Sequence, residues 1–190
     1  MFLLAGAAVG LLLGLVTGGN LKRFATVRIT WPMLLLLVIA LAIKELGIYG
    51  PLASSSFTPW LFTISNLALI FWALWHRGQL RGVELVALGI TLNLIVVVAN
   101  MGHMPVAPSL AHRGPPELLR YGVWGQYALA GPRTRLNWLS DWIKLPTPIG
   151  RLFPQAYSPG DLVSCAGLAL VLFLLTRPRS VGQRAGITIP

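Results

Sequence analysis

Residues 83–100, VELVALGITLNLIVVVAN, decide the reading of this chain. Their one charged side chain, Glu84, stands at the start, and only Thr91, Asn93 and the closing Asn100 interrupt the apolar run. A helix needs roughly 20 such residues to cross about 30 Å of hydrocarbon, so this run sits at the short end of the range. Four others accompany it: Met1–Thr17, Trp31–Tyr49, Thr58–His76 and Pro159–Thr176. Backbone amides in lipid must bond one another, and runs of this length are therefore helices. Each closes on residues that break helices: Gly18-Gly19-Asn20, Gly50-Pro51, Arg77-Gly78, Met101-Gly102-His103-Met104-Pro105 and Arg177-Pro178-Arg179. The expected fold class is an all-α integral membrane protein. A single membrane domain, 1–190, carries five transmembrane helices and one long loop, 101–158.

Composition points the same way. Of 190 residues, 55% are hydrophobic and 11% charged, whereas soluble domains carry about a quarter charged residues. The single cysteine, Cys165, rules out a disulfide framework and any cysteine-clustered metal site. The net charge of +10 comes from basic residues scattered between long uncharged runs. In a bilayer protein that surplus sets orientation and meets anionic headgroups; nucleic acid is not an expected partner. Lys22, Arg23, Arg28, Arg77, Arg81, Arg177, Arg179 and Arg184 occupy alternate connections and the tail, while the opposing short loop, Gly50–Phe57, has no charge. The positive-inside rule then places the N-terminus outside and the C-terminus inside, with the long loop outside. The first run is not a secretory signal, since its charges follow the apolar stretch instead of preceding it. The expected location is a bacterial cytoplasmic (inner) membrane, crossed several times.

The first helix spaces Gly6, Gly10, Gly14 and Gly18 four residues apart, a ridge without side chains on which another helix backbone can pack closely. Its partner is either this chain or another membrane subunit. Lys44 and Glu45, near the outer end of the second helix, are expected to snorkel to the headgroups. Ser65, Asn66, Thr91 and Asn93 are polar at membrane depth and are expected to bond between helices. Within the long loop, Thr134–Lys144 predicts a short helix lying on the membrane surface. Leu136, Leu139 and Ile143 share a face with Trp138 and Trp142 beside it, opposite Asn137, Ser140, Asp141 and Lys144. Glu117–Trp124 predicts a further turn or two.

Asp161 opens the last span behind Ser158-Pro159-Gly160, where a carboxylate satisfies free amides and complements the helix dipole. Asn93 and Asn100 share one face of the fourth helix, which delivers His103 at its outer end. If the fourth and fifth helices are neighbours, His103, Asn100 and Asp161 meet at the outer surface, as an acid–base pair or as a structural hydrogen bond. These residues and Asp141 are the candidate catalytic set. No cofactor or metal site is expected: His76, His103 and His112 lack ligand spacing, and no phosphate-binding glycine motif is present.

The sequences Asn100-Met101-Gly102-His103-Met104-Pro105-Val106, Leu139-Ser140-Asp141-Trp142-Ile143-Lys144-Leu145-Pro146 and Ser158-Pro159-Gly160-Asp161 resemble those of a family of bacterial multi-pass membrane proteins known only as a domain of unknown function. The likeness extends over nearly the whole chain and implies no activity. The last four spans are also similar to lipoprotein signal peptidase, an aspartic peptidase of the bacterial membrane. That family pairs Asn-x-x-Asp at the end of one helix with aromatic-Asn-x-Ala-Asp at the start of the next. Here Asn100-x-x-His103 carries His in place of Asp, and Tyr157-Ser158-Pro159-Gly160-Asp161 keeps only the aromatic and the aspartate. A carboxylate dyad works by sharing one proton between two acids, which His103 with Asp161 does not reproduce.

Two functions follow as expectations. The first is a non-catalytic membrane protein, serving as an accessory subunit (through the glycine face) or as an outer-face protein that binds lipid or a partner. The second is an outer-face hydrolase using His103 and Asp161, with Asp141 auxiliary. A transporter fits less well, because no inverted repeat is visible and no span has a central charge.

Overall fold

In the computed structural model, which describes residues 2–49, 55–113, 116–153 and 155–177, the five apolar runs are all helical. They form α1 (Phe2–Val16), α2 (Trp31–Tyr49), α3 (Thr58–Trp75), α4 (Val83–Ala99) and, after the long loop, α7 (Pro159–Thr176). Gly50 and Pro51, expected to close the second helix, and the tail arginines Arg179 and Arg184 lie outside the described residues. Two helices, Thr58–Trp75 and Pro159–Thr176, are long and apolar enough to cross a membrane. α1, α4 and the Trp31–Lys44 part of α2 are shorter apolar helices.

Side by side, the helices run in the order α2, α3, α4, α7, α1. Small residues set the closeness of the two central contacts. On α1, Gly6 meets Cys165, Gly10 meets the carbonyl of Ala169, and Gly14 meets Thr176, so α1 and α7 run parallel. On the other side of α7, Gly160 and Ser164 lie against Gly89, and Gly167 lies against Leu85 and Val86, so α4 runs antiparallel to it. A Cβ on any of these glycines collides with a neighbouring backbone or side chain. The partner of the glycine ridge is therefore this chain's own α7. Gly18 is not part of the contact: it turns the chain after α1 with φ 87° and faces open space.

Away from these seams the helices turn apolar side chains outward, among them Leu12, Leu35, Ile64 and Val98. Lys44 does not simply reach for the headgroups. Its Nζ lies 3.4 Å from Asn66 Oδ1 and 5.2 Å from the centre of the Phe62 ring. Asn66 Nδ2 donates to the Phe62 carbonyl and Ser65 Oγ to the Ala40 carbonyl, so α3 keeps its polar side chains inside the bundle.

The loop between α4 and α7 folds into a cap over one end of the bundle. β1 (Met104–Val106) pairs in parallel with β3 (Tyr127–Leu129), and β2 (Val123–Trp124) pairs antiparallel to β3. Between β1 and β2 lie a 3-10 turn, Pro108–Arg113, and α5 (Pro116–Tyr121). A short α6 (Ile149–Leu152) follows later. Val106, Ala111 and Leu118 form the cap's own apolar centre. Met104 and Leu139 join Phe62, Val96 and Val97, which fixes the cap to α3 and α4.

The surface helix expected over Thr134–Lys144 does not form. Leu136 takes a left-handed conformation (φ 56°), only Asn137–Leu139 make a 3-10 turn, and Ser140 is extended. From there alternate backbone amides bond across to other segments. Asp141 N–H donates to the Pro105 carbonyl and Ala107 N–H to the Asp141 carbonyl, while Ile143 and Tyr157 exchange both of their bonds. With those partners available, residues 140–143 satisfy their amides without helix. Trp138 and Trp142 are nonetheless exposed, and Trp142 Nε1 donates to the Trp138 carbonyl; Leu139 is buried and Leu136 and Ile143 are half-buried. The expected turn near Glu117 is α5, ending where β2 begins.

Candidate functional site

α4 and α7 build the polar junction below the cap. Ser158 caps α7: its Oγ accepts from Asp161 N–H at 3.0 Å, and Asp161 Oδ2 accepts from Ser158 N–H at 3.1 Å. This capping box satisfies two free donors at the helix start. The remaining Asp161 oxygen turns toward α4, where Asn93 Nδ2 donates to Oδ1 at 2.8 Å. Asn93 Oδ1 in turn accepts from Ser158 Oγ at 2.7 Å. The absent side chain of Gly160 lets Asn93 approach this closely.

Asp141 reaches the same region from the cap. It is 7% exposed, and its Oδ1 has no hydrogen-bond partner. Burial raises its carboxyl well above the ordinary acid range; the charge of Asp161 adds to the rise and that of Lys44 opposes it. Charged groups from α7 and α2 thus act on this acid of the cap.

Asn100 and His103 do other work. Asn100 Nδ2 donates to the carbonyls of Val96 and Arg135, and its Oδ1 accepts from Arg135 N–H, so this side chain staples the cap to the end of α4. The next residues turn sharply, Met101 at φ 54° and Gly102 at φ 90°, with Gly102 packed on Pro59. The turn sends half-buried His103 toward α3. There it lines an open cleft of about 480 Å³ with Ser55, Ser56, Pro59, Tyr121 and Trp124. Burial lowers the His103 imidazole below its ordinary value, against the pull of the Asn100 and Met101 backbone. Tyr121 and Trp124 stack with ring centres 6.3 Å apart, and the Arg120 guanidinium lies 5.3 Å over the Tyr121 ring.

Among the described residues, no hydrogen bond or ion pair joins His103 to Asp161. The structure assembles Asp161 with Asn93 and Ser158, sets Asp141 in their field, and separates off His103 and Asn100. The sequence puts Asn93 and Asn100 on one helix face without saying which of them meets Asp161. The strand-like placing of Asp141 shows in the structure, where exposed Trp142 and Lys144 alternate with buried Asp141 and half-buried Ile143.

Residues 24–173 match a family of unknown function, DUF5317. The chain belongs to DUF5317. No curated protein and no solved structure matches it. The family match begins within the turn after α1 and ends near the end of α7, so it takes in both the cleft and the Asp141–Asp161 region of this DUF5317 chain.

Proposed function

We propose that this DUF5317 protein crosses a bacterial cytoplasmic membrane five times, N-terminus outside and C-terminus inside, and binds the headgroup of a phospholipid in the His103–Trp124 cleft on its outer face. The observation that carries this reading is the position and lining of the cleft. It opens where α3 begins and α4 ends, the depth of the headgroups in such a topology, and it offers indole, phenol, imidazole and hydroxyl groups together. An amphiphile needs that mixture of apolar and polar contacts. Arg120 at its edge favours an anionic headgroup.

Two other readings have less to rest on. An accessory-subunit role needs a face other than the glycine ridge, which α7 covers. A signal-peptidase-like hydrolase built on His103 and Asp161 needs those side chains in one place, and Asp161 is engaged instead by Asn93 and Ser158. The lipid reading is tested by native mass spectrometry of the detergent-purified protein with added phosphatidylglycerol or phosphatidylcholine. The expected result is preferential retention of phosphatidylglycerol, weakened about tenfold (~1.4 kcal/mol) by Trp124→Ala with His103→Ala. Retention unchanged by that double substitution defeats the proposal.

A further inference from the structure

Asp141 is a buried acid with an oxygen left over. Its Oδ1 is out of reach of water and accepts no hydrogen bond, although the same residue's backbone is fully used by Pro105 and Ala107. An ionised carboxylate does not survive in that condition, and a protonated one does. The neighbouring acid is held in place from two directions. The strand-like segment carrying Asp141 pairs through Ile143 with Tyr157, and the next residue, Ser158, donates its N–H to Asp161. All of the hydrogen bonds described for the Asp161 carboxyl are ones it accepts, from Asn93 Nδ2 and Ser158 N–H. One acid is thus left without a donor, while its neighbour is supplied with two.

We propose that Asp141 is a proton-binding site beneath the cap, its own carboxyl holding the proton, with Asp161 as the neighbouring acid and Lys44 as the facing cation. The charges support it. Asp161 and Lys44 are the charged groups that act on Asp141, from α7 and α2 respectively. One proton on Asp141 brings the two acids and one lysine to zero net charge, and its loss leaves an uncompensated negative charge out of water. The raised proton affinity of Asp141 has burial as its first cause and Asp161 as its second. A proton suits the site better than a metal ion, because no group of three His, Cys, Asp or Glu side chains able to hold one occurs among the described residues. The site takes up and releases a proton at the cap end of the molecule, and it stands or falls independently of lipid binding in the cleft.

Infrared difference spectroscopy of the full-length protein in phosphatidylcholine vesicles, titrated through neutral pH, tests the assignment. The wild type is expected to show a carboxylic-acid carbonyl band at neutral pH that Asp141→Asn removes. Asp161→Asn should keep the band and move its loss to lower pH, since the like charge is gone; Lys44→Gln should move it to higher pH. A missing band, a band that survives Asp141→Asn, or a titration unmoved by Asp161→Asn overturns the proposal. Added calcium or sodium that abolishes the band at fixed ionic strength also overturns it, by assigning the site to a metal cation. If Asp141→Asn misfolds, the wild type still decides the matter through dicyclohexylcarbodiimide, which attacks protonated carboxyls shielded from water. Peptide mass spectrometry should then find Asp141 modified and exposed Glu84 untouched, and unmodified Asp141 refutes the proposal.

Discussion

Asn93 is the residue on which the junction of α4 and α7 turns, because its single amide answers two groups at once. The nitrogen donates to Asp161 and the oxygen accepts from Ser158, at 2.8 and 2.7 Å. Asn93→Ala leaves both without their α4 partner. The expected cost is about 1–3 kcal/mol, the usual penalty for stranding a buried polar group, read as a lower thermal midpoint in detergent. Asn93→Asp should cost more, since it sets a second carboxylate against Asp161 and removes the donor. Asn93→Ala and Ser158→Ala should not add, as each removes the same bond. Wild-type stability in Asn93→Ala, or simple additivity with Ser158→Ala, contradicts this account. At this scale the sequence was half legible. Ser158-Pro159-Gly160-Asp161 announces a capped helix start, and the capping box is there. The partner of Asp161 was not legible, because Asn93 and Asn100 share a face and spacing alone does not say which one α7 meets.

A helix of this protein is recognised by what it lacks. The period-four glycines of α1 and the scattered small residues of α7 make a seam where main chains touch, and the parallel steps Gly6–Cys165, Gly10–Ala169 and Gly14–Thr176 hold the register. Gly10→Val places a branched side chain against the Ala169 carbonyl and must push the helices apart. Overpacking of this kind costs about 1–3 kcal/mol, and a backbone contact relaxes less readily than a side-chain one. Gly78→Ala is the matching control: a Cβ there meets nothing within 4 Å, so its effect should be near zero. Equal melting of the two variants in detergent argues against the seam. The ridge was visible in the sequence because four-residue spacing is diagnostic by itself, whereas the choice of α7 over a foreign helix needed the fold. The Thr134–Lys144 segment failed for the opposite reason. Leu136, Leu139 and Ile143 suit a helical face, but Leu139, Asp141 and Ile143 also suit a strand, and β1 and Tyr157 supplied the bonds that decided it. The three strands of the cap, two or three residues each, are too short for periodicity to announce.

Across the whole molecule exposed aromatic groups suited to headgroup depth stand at both ends, Phe57, Trp60, Trp138 and Trp142 at the cap end and Trp31 and Trp75 at the other. The opposite end gathers Lys22, Arg23, Arg28, Arg77, Arg81 and Arg177. There Asn20 N–H donates to the Thr176 carbonyl, and Arg28 exchanges bonds with Gln79. The cap is basic as well, through Arg120, Arg133, Arg135, Lys144 and Arg151. Long loops, however, cross a membrane largely regardless of charge, while short ones obey the positive-inside rule. The proposed five-span, N-out arrangement therefore makes a sharp prediction for single-cysteine variants on a Cys165→Ala background. Trp138→Cys, in the cap, should react with a membrane-impermeant maleimide in intact cells. Arg23→Cys and Arg81→Cys should react only after the cells are opened. Labelling of Arg81→Cys in intact cells inverts the topology, and it would move both the cleft and the Asp141 site to the cytoplasmic side. Equal labelling of all three before and after opening removes the membrane from the account, and with it the reason for a lipid in the cleft.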